Sequence, residues 1–137
     1  MHIVIAGHDE VAFSIAEGLM AQHEVVLIGP AAQSVPRLDK LDVELVCGSP
    51  TSSEVLGQAR TERSGVFVAA TSNDEQNLVA CIAAKRLGAE RTICILSRPG
   101  FVESHERDRE LAHSLGLSAV VRPSVQLANE ILRIVTV

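Results

Sequence analysis

Short apolar runs alternate with segments of helical spacing along the 137 residues of this chain. The first run, His2–Ala6, is rich in β-branched residues and stops at Gly7. The next segment, residues 11–20, repeats apolar residues at every third or fourth position. Apolar runs without polar alternation are typical of parallel strands buried on both faces. Because parallel strands need crossover helices, and right-handed crossovers place helices on both faces of a sheet, few architectures remain.

The full pattern predicts six strands that alternate with six helices. The strands are predicted at 2–6, 25–28, 43–46, 65–69, 92–96 and 119–121, and the helices at 11–20, 33–41, 53–59, 75–87, 103–115 and 124–135. Pro123 suits the start of the last helix, since first-turn N–H groups have no partner inside a helix. We therefore expect a single-domain α/β protein, with a Rossmann-like, doubly wound, parallel six-stranded sheet.

The composition argues against nucleic-acid binding. The formal net charge is −5, and aromatic residues make up 2% of the chain, with no Tyr and no Trp. Single-strand binders stack bases on aromatic rings, and phosphate-backbone binders rely on basic side chains. The whole acidic excess lies in residues 1–70, which carry 9 acidic and 4 basic side chains.

The cysteines and the apolar runs indicate the compartment. Cys47, Cys81 and Cys94 show no C-x-x-C spacing and stand in apolar contexts, which is typical of buried free thiols in a reducing compartment. No apolar run approaches the roughly 18 residues that span a bilayer, and no basic leader precedes the first run. The sequence predicts a cytoplasmic chain without direct membrane insertion.

The loop after the first strand holds the position of a dinucleotide-binding loop. The G-x-G-x-x-G pattern of such loops is only partly present: Gly7 is in place, but Asp9 stands at the second glycine and Ala12 at the third. The carboxylates of Asp9 and Glu10 oppose the attraction between a helix N-terminus and a phosphate. Two interpretations stay open: a nucleotide loop weakened by charge, or a loop in which Asp9 only caps the helix.

Other polar residues follow the second, third and fourth strands on the same rim. The second strand is followed by Gly29, where dinucleotide folds carry a ribose-binding acid or a nearby arginine for a 2′-phosphate, and neither is present. Gly48 and Ser49 follow the third strand, and the polar run 71–74 follows the fourth. Helix capping by Ser72 or Asp74 accounts for that run, and a nucleotide contact is the alternative.

Catalytic motifs are missing from the sequence. The five histidines show no metal-ligand spacing. Neither the G-x-S-x-G hydrolase elbow nor the G-x-x-x-x-G-K-[ST] phosphate loop occurs. We therefore expect no catalytic residues, no metal site and no enzyme activity.

Several spaced segments carry a family resemblance. The run T-S-N-D-E-Q-N at 71–77 follows an apolar strand and leads to K-R-L-G at 85–88. It is accompanied by G-S-P-T-S-S-E-V-L at 48–56, R-P-G-F-V-E at 98–103 and V-R-P-S at 121–124. Together they resemble the regulatory nucleotide-binding domain of Trk-type potassium transport systems, the RCK, KTN or TrkA-N family, over essentially the whole chain.

This resemblance implies regulation rather than catalysis. Domains of this family typically bind NAD(H), ATP or ADP, and they form dimers and rings beneath a membrane potassium pore subunit. AMP is a further candidate ligand of this chain. Ligand exchange then shifts the ring between shapes. Residues 1–137 would be the N-terminal lobe of such a domain, with 123–137 as a crossover or dimerisation helix. The implied location is cytoplasmic, at the inner face of the membrane through the pore subunit.

Carried over position by position, the resemblance assigns candidate ligand contacts. Gly7 and the residues after it form the phosphate loop, Gly48 and Ser49 lie on the adenine side, and the 71–74 run lies beside the phosphates or ribose. The full candidate set is Gly7, His8, Asp9, Glu10, Val11, Gly29, Gly48, Ser49, Thr71, Ser72, Asp74 and Arg98.

The departures from the family pattern weaken that site. Asp9 replaces the second glycine, Gly29 replaces the ribose-binding acid, and Ile95 stands where the family has a basic residue, with Arg98 nearby. We expect a degenerate site with weak or absent nucleotide binding, in a sensing or scaffolding domain. The alternatives are a cofactor-binding domain of a small NAD(P)-dependent oxidoreductase and the same domain fused to a non-transport partner. The apolar last helix predicts a dimer contact.

Overall fold

The computed structural model describes residues 1–30, 40–98, 110, 112–123 and 127–136. The strands of this part of the chain are β1 (His2–Ala6), β2 (Glu24–Gly29), β3 (Glu44–Cys47), β4 (Val66–Ala69), β5 (Arg91–Ile95) and β6 (Ala119–Val121). The helices are α1 (Glu10–Leu19), α2 (Ser53–Gln58), α3 (Asp74–Leu87) and α4 (Leu127–Thr136), with a 3₁₀ turn at Thr61–Arg63 and a helical stretch at 112–114.

All strand pairs are parallel, and the spatial order is β3-β2-β1-β4-β5-β6. This is the strand order of doubly wound dinucleotide folds, so the predicted fold class is confirmed. From β1 the chain first builds outward to β3, and it then crosses back to place β4 on the other side of β1. The carboxyl ends of β1 and β4 therefore border the topological switch point, where such sheets bind ligands.

The two faces of the sheet carry separate apolar cores. In β1, Ile3 and Ile5 belong to one cluster while Val4 and Ala6 belong to the other, because successive side chains point to opposite faces. The first cluster is closed by α1 and α4, and the second by α2 and α3. Burial on both faces explains why the strands show no polar alternation in sequence.

The predicted elements lie close to the observed ones. Each predicted strand lies within one residue of its observed bounds. Helices α1 and α3 each begin one residue earlier than predicted, because the side chains of Asp9 and Asn73 cap them and the helix starts directly after each cap. Most of the helix predicted at 33–41 and most of that at 103–115 lie outside the described residues, as do 124–126 of the last helix. No helix of the described ranges is long and apolar enough to span a membrane.

The C-terminal helix α4 packs against its own chain. Leu127, Ile131 and Val135 are buried in the cluster shared with α1 and the sheet. A Cβ added to Gly18 of α1 would lie 3.1 Å from the Leu132 side chain, which shows how closely the two helices approach. The buried apolar residues that motivated the predicted dimer contact thus have partners within the chain, and the dimer stays a prediction.

One cysteine departs from the prediction. Cys81 and Cys94 are buried free thiols, and burial raises the pKa of the Cys81 thiol well above its ordinary value. Cys47 is exposed, so the prediction of burial was wrong there. The reason is its position at the end of β3, an edge strand on which only Val46 is fully buried.

We expect Ile131→Ala to lower the free energy of unfolding by about 3 kcal/mol, because it opens a cavity between α4 and the sheet. Ile131 is 0% exposed. Leu87→Ala, at a residue 39% exposed at the end of α3, is the matched control and should change stability by less than about 0.5 kcal/mol. Urea unfolding at several protein concentrations measures both. A loss seen only at concentrations where the chain associates would contradict packing within one chain.

Candidate functional site at the carboxyl edge of the sheet

A cavity of about 210 Å³ opens at the switch point between β1 and β4. It lies between the N-termini of α1 and α3 and the loop after β5. The residues that line it are Asp9, Val11, Ala70, Thr71, Ser72, Asp74, Ile95, Ser97 and Pro123. Five of the predicted site residues are thus brought together: Asp9, Val11, Thr71, Ser72 and Asp74.

Gly7 packs closely against Ala70, one of the residues that line this cavity. Its φ is +153°, and an added Cβ would lie 2.7 Å from the Ala70 carbonyl oxygen and 2.9 Å from the Ala12 Cβ. A side chain at this position would therefore collide with the backbone after β4 and with the first turn of α1. This is the tight strand-to-helix turn that the first glycine of a dinucleotide loop provides.

Asp9 both caps α1 and borders the cavity. Its Oδ1 accepts a hydrogen bond from the Ala12 backbone N–H at 3.3 Å. Its φ of −114° is ordinary, so the backbone does not require glycine here. Glu10 stands in the first turn of the same helix. The positive end of α1 is thus partly neutralised by the protein's own carboxylates before any ligand arrives.

The cap of α3 is Asn73 rather than Ser72 or Asp74, so the predicted capping role of those two residues was wrong. Asn73 Oδ1 accepts a hydrogen bond from the Gln76 backbone N–H at 2.8 Å. The helix therefore starts at Asp74, one residue too late for Ser72 to cap it. Ser72 is exposed and lines the cavity.

Asp74 instead clamps α3 to the loop after β5. Its carboxylate accepts hydrogen bonds from the Ser97 backbone N–H at 2.9 Å, the Ser97 hydroxyl at 3.0 Å and the Arg98 backbone N–H at 2.8 Å. Burial raises the pKa of the Asp74 carboxyl, but the hydrogen bonds from Ser97 and Arg98 outweigh burial and hold that pKa below its ordinary value. The carboxylate is ionised at neutral pH and is used to hold the loop.

Arg98 is engaged by acidic side chains of α3. Its Nε lies 3.4 Å from an Asp74 carboxylate oxygen, and its Nη2 donates to Glu75. The side chain is 64% exposed and contributes nothing to the lining of the main cavity. The described contacts of Arg98 therefore support the outer rim of the site.

Asn77 was quoted within the family run, but it was not among the predicted site residues. It is 0% exposed, and its side-chain amide both accepts and donates hydrogen bonds. Its Oδ1 accepts from the backbone N–H and the hydroxyl of Thr71, while its Nδ2 donates to the carbonyl oxygens of Thr71 at 3.0 Å and Ile95 at 2.7 Å. The sequence pattern could have predicted its burial, because Asn77 shares one face of α3 with small apolar residues at helical spacing. These residues are Ala80, Cys81 and Ala84.

The remaining predicted residues lie on the other side of β1. Gly29 is the last residue of β2, and Gly48 follows directly after β3. The Gly48 N–H donates a hydrogen bond to the Gly29 carbonyl oxygen at 2.8 Å. Gly48 has a φ of +142°, and an added Cβ would lie 2.5 Å from Val55. The Ser49 hydroxyl is within 2.8 Å of the Thr51 hydroxyl, so it stabilises its own turn. His8 packs over Gly29.

We expect Asn77→Leu to lower the free energy of unfolding by about 3 kcal/mol, because it leaves buried backbone groups of Thr71 and Ile95 without partners. Asn73→Ala, which removes only the cap, should cost about 1 kcal/mol. Urea unfolding followed by circular dichroism compares the two variants. Equal losses would contradict the connecting role assigned to Asn77.

Asp74→Asn should lower stability by about 2 kcal/mol at pH 7, because hydrogen bonds to a charged acceptor are lost. The folded-state pKa is lowered, so the stabilisation is fully present above the unfolded-state value of about 3.9 and disappears as pH falls through the folded-state value. The difference between wild type and variant should therefore shrink below about pH 4 in acid unfolding curves. Glu90→Gln, at an exposed position, is the control. A difference that is constant with pH would contradict the clamp.

The comparisons with known proteins agree with this geometry. The TrkA-N domain family matches residues 3–123. A Trk system potassium uptake protein TrkA homolog of Archaeoglobus fulgidus is 36% identical over 135 residues, which cover 98% of this chain. The chain spans 30% of the length of that curated relative.

Solved structures share the fold. The TrkA-N domain of inner membrane protein ybaL from Escherichia coli has a TM-score of 0.72 at 18% identity, covering 97% of this chain and 95% of that one. The GsuK channel bound to NAD has a TM-score of 0.69 at 24% identity, covering 88% of this chain and 21% of that one. A GsuK structure bound to ADP is also similar, with a TM-score of 0.66. Because the TrkA-N family matches residues 3–123, the chain belongs to the TrkA-N domain family.

Proposed function

We propose that this chain is a regulatory, nucleotide-binding domain of a potassium transport system. The observation that carries the proposal is the cavity at the switch point of the sheet, whose wall is built by the run 71–77. The relative named above is a potassium uptake protein, and the GsuK channel was solved with NAD and with ADP. Ligand crevices of this sheet order lie at the same place.

The geometry favours a ligand that spans the N-termini of α1 and α3. Phosphate oxygens would lie over Gly7 and near the hydroxyls of Thr71 and Ser72, where backbone N–H groups and helix dipoles attract negative charge. A ligand held there touches both helices and the loop that Asp74 clamps. Differential affinity for two arrangements of these elements would give the regulation.

The charge of the lining predicts weak binding. The described lining residues include Asp9 and Asp74 but no lysine or arginine. Asp74 is already neutralised in part by its hydrogen bonds, whereas Asp9 presents an exposed carboxylate next to the phosphate position. Two like charges about 4 Å apart repel by about 1 kcal/mol even in bulk water. The candidate ligands are NAD(H), ATP, ADP and AMP, bound more weakly than in a loop with glycine at this position.

Regulation fits the site better than catalysis. The carboxylates at the cavity already serve the fold, since Asp9 caps α1 and Asp74 holds the loop after β5. Asp74 is engaged in several hydrogen bonds that favour its charged form, which makes it a poor general acid or base at neutral pH. The partners we propose are a second copy of the chain, in a dimer or ring, and a membrane potassium pore subunit, at the cytoplasmic face of the membrane.

Calorimetry with NAD⁺, NADH, ATP, ADP and AMP tests the proposal. We expect Asp9→Asn to bind these nucleotides at least about fivefold more tightly than wild type, because asparagine keeps the cap and removes the repelling charge. Asp42→Asn makes the same charge change at an exposed position before β3, at the opposite edge of the sheet, and should leave affinity unchanged.

Two results would contradict the proposal in different ways. If no nucleotide binds either wild type or Asp9→Asn, the chain is not a nucleotide-binding domain. If wild type binds NADH with micromolar affinity and Asp9→Asn adds nothing, the site is intact and the weakening assigned to Asp9 is wrong.

A further inference from the structure

The end of β2 is the place where sheets of this order recognise the ribose of a nucleotide. An acid there accepts a hydrogen bond from the 2′-hydroxyl and repels a 2′-phosphate, whereas a nearby arginine accommodates the phosphate. In this chain β2 ends at Gly29, which pairs with Cys47 of β3. The preceding residue, Ile28, pairs with Ala6 at the end of β1. The residue at the ribose position therefore has no side chain.

The backbone does not explain this glycine. The described glycines with positive φ are Gly7, Gly48, Gly88 and Gly116, and Gly29 is not among them. What excludes a side chain is His8. A Cβ added to Gly29 would lie 2.9 Å from the His8 Cβ and 3.6 Å from its Cγ. The His8 side chain, which comes from the loop after β1, fills the space above the end of β2.

His8 changes what the ribose would meet. Its side chain is exposed at the carboxyl edge, so its ring is accessible to a ligand. A neutral imidazole offers one donor and one acceptor, and the protonated form offers two donors and a positive charge. In neither form does it repel a phosphate, as a carboxylate would. The carboxylate of the neighbouring Asp9 is held at the start of α1 by its bond to the Ala12 N–H.

We propose that His8 is the specificity residue of the ribose subsite, and that the chain accepts 2′-phosphorylated nucleotides as readily as those with a free 2′-hydroxyl. The inference rests on the proposed nucleotide-binding function and names the ligand class of that same site. Asp9 weakens the binding of all these phosphate-bearing ligands. The ratio of the two dissociation constants in a pair that differs only by a 2′-phosphate therefore reports on the 2′ position.

The test compares two ligand pairs that differ only by a 2′-phosphate: NAD⁺ with NADP⁺, and 5′-AMP with adenosine 2′,5′-bisphosphate. Calorimetry on the wild-type chain should give dissociation constants within about threefold of each other in each pair, a difference below about 0.7 kcal/mol. His8→Asp places a carboxylate over β2 and should shift the ratio at least about tenfold toward the unphosphorylated member. A merely structural role would weaken both members equally.

A second variant and a control complete the design. The double variant His8→Gly with Gly29→Asp vacates the space over β2 and moves the acid onto the strand, so it should show the same tenfold shift even if His8→Asp folds poorly. The control is His113→Asp, the same change at an exposed residue. The Gly116 N–H donates to the His113 carbonyl oxygen, and the Gly116 carbonyl oxygen accepts from Thr92 near the start of β5. His113 therefore lies far from the carboxyl edge of the sheet. Its ratio should match wild type.

The outcomes separate the inference from the function on which it rests. A wild-type preference of tenfold or more for NAD⁺ over NADP⁺, or an unchanged ratio in both His8 variants, overturns the role of His8 and leaves the proposed function standing. Failure of all these nucleotides to bind the wild-type chain overturns the proposed function and this inference with it. Equal wild-type affinities that become unequal in the variants support both.

Discussion

The buried amide of Asn77 is the contact on which the candidate site depends. It joins Thr71, just after β4, to the carbonyl of Ile95 at the end of β5, and it uses its donors and its acceptor oxygen in doing so. Two neighbouring strand ends are thereby fixed to the first turn of α3. Asp74 extends the same support to Ser97 and Arg98. We expect this network to hold the crevice wall in place before a ligand binds, which would lower the entropy cost of binding.

The two sides of β1 differ in the feature that we expect to weaken nucleotide binding. On the β4 side there is a cavity with hydroxyls and helix N-termini, but Asp9 brings negative charge to the proposed phosphate position. On the β2 side the ribose acid is replaced by Gly29 beneath His8. We expect both changes to reduce the attraction for an ordinary NAD molecule, one through charge and the other through a lost hydrogen-bond acceptor. They act on separate groups of the ligand, so their effects should add.

Local signals in the sequence were enough for the architecture. The apolar runs, the helical spacing and the turn at Gly7 predicted the strands, the helices and the tight loop, because each depends on neighbouring residues. The details that were wrong or that the sequence did not reveal depend on tertiary contacts. The partners of Asp74 lie 23 and 24 residues away, the exposure of Cys47 follows from the edge position of β3, and His8 meets Gly29 only because β1 and β2 end side by side. The buried face of α3 could have revealed Asn77, since its small apolar neighbours recur at helical spacing.

We propose the crevice between α1 and α3 as the nucleotide site. A titration of ADP into the ¹⁵N-labelled chain, followed through the backbone amide resonances, tests this placement. We expect shifts concentrated at Asp9, Val11, Thr71 and Ser72, which line the cavity, with smaller changes at Ile95 and Ser97. Shifts centred instead on the amino edge of the sheet, around His2 and Arg60, or an absence of shifts at millimolar ADP, would contradict it.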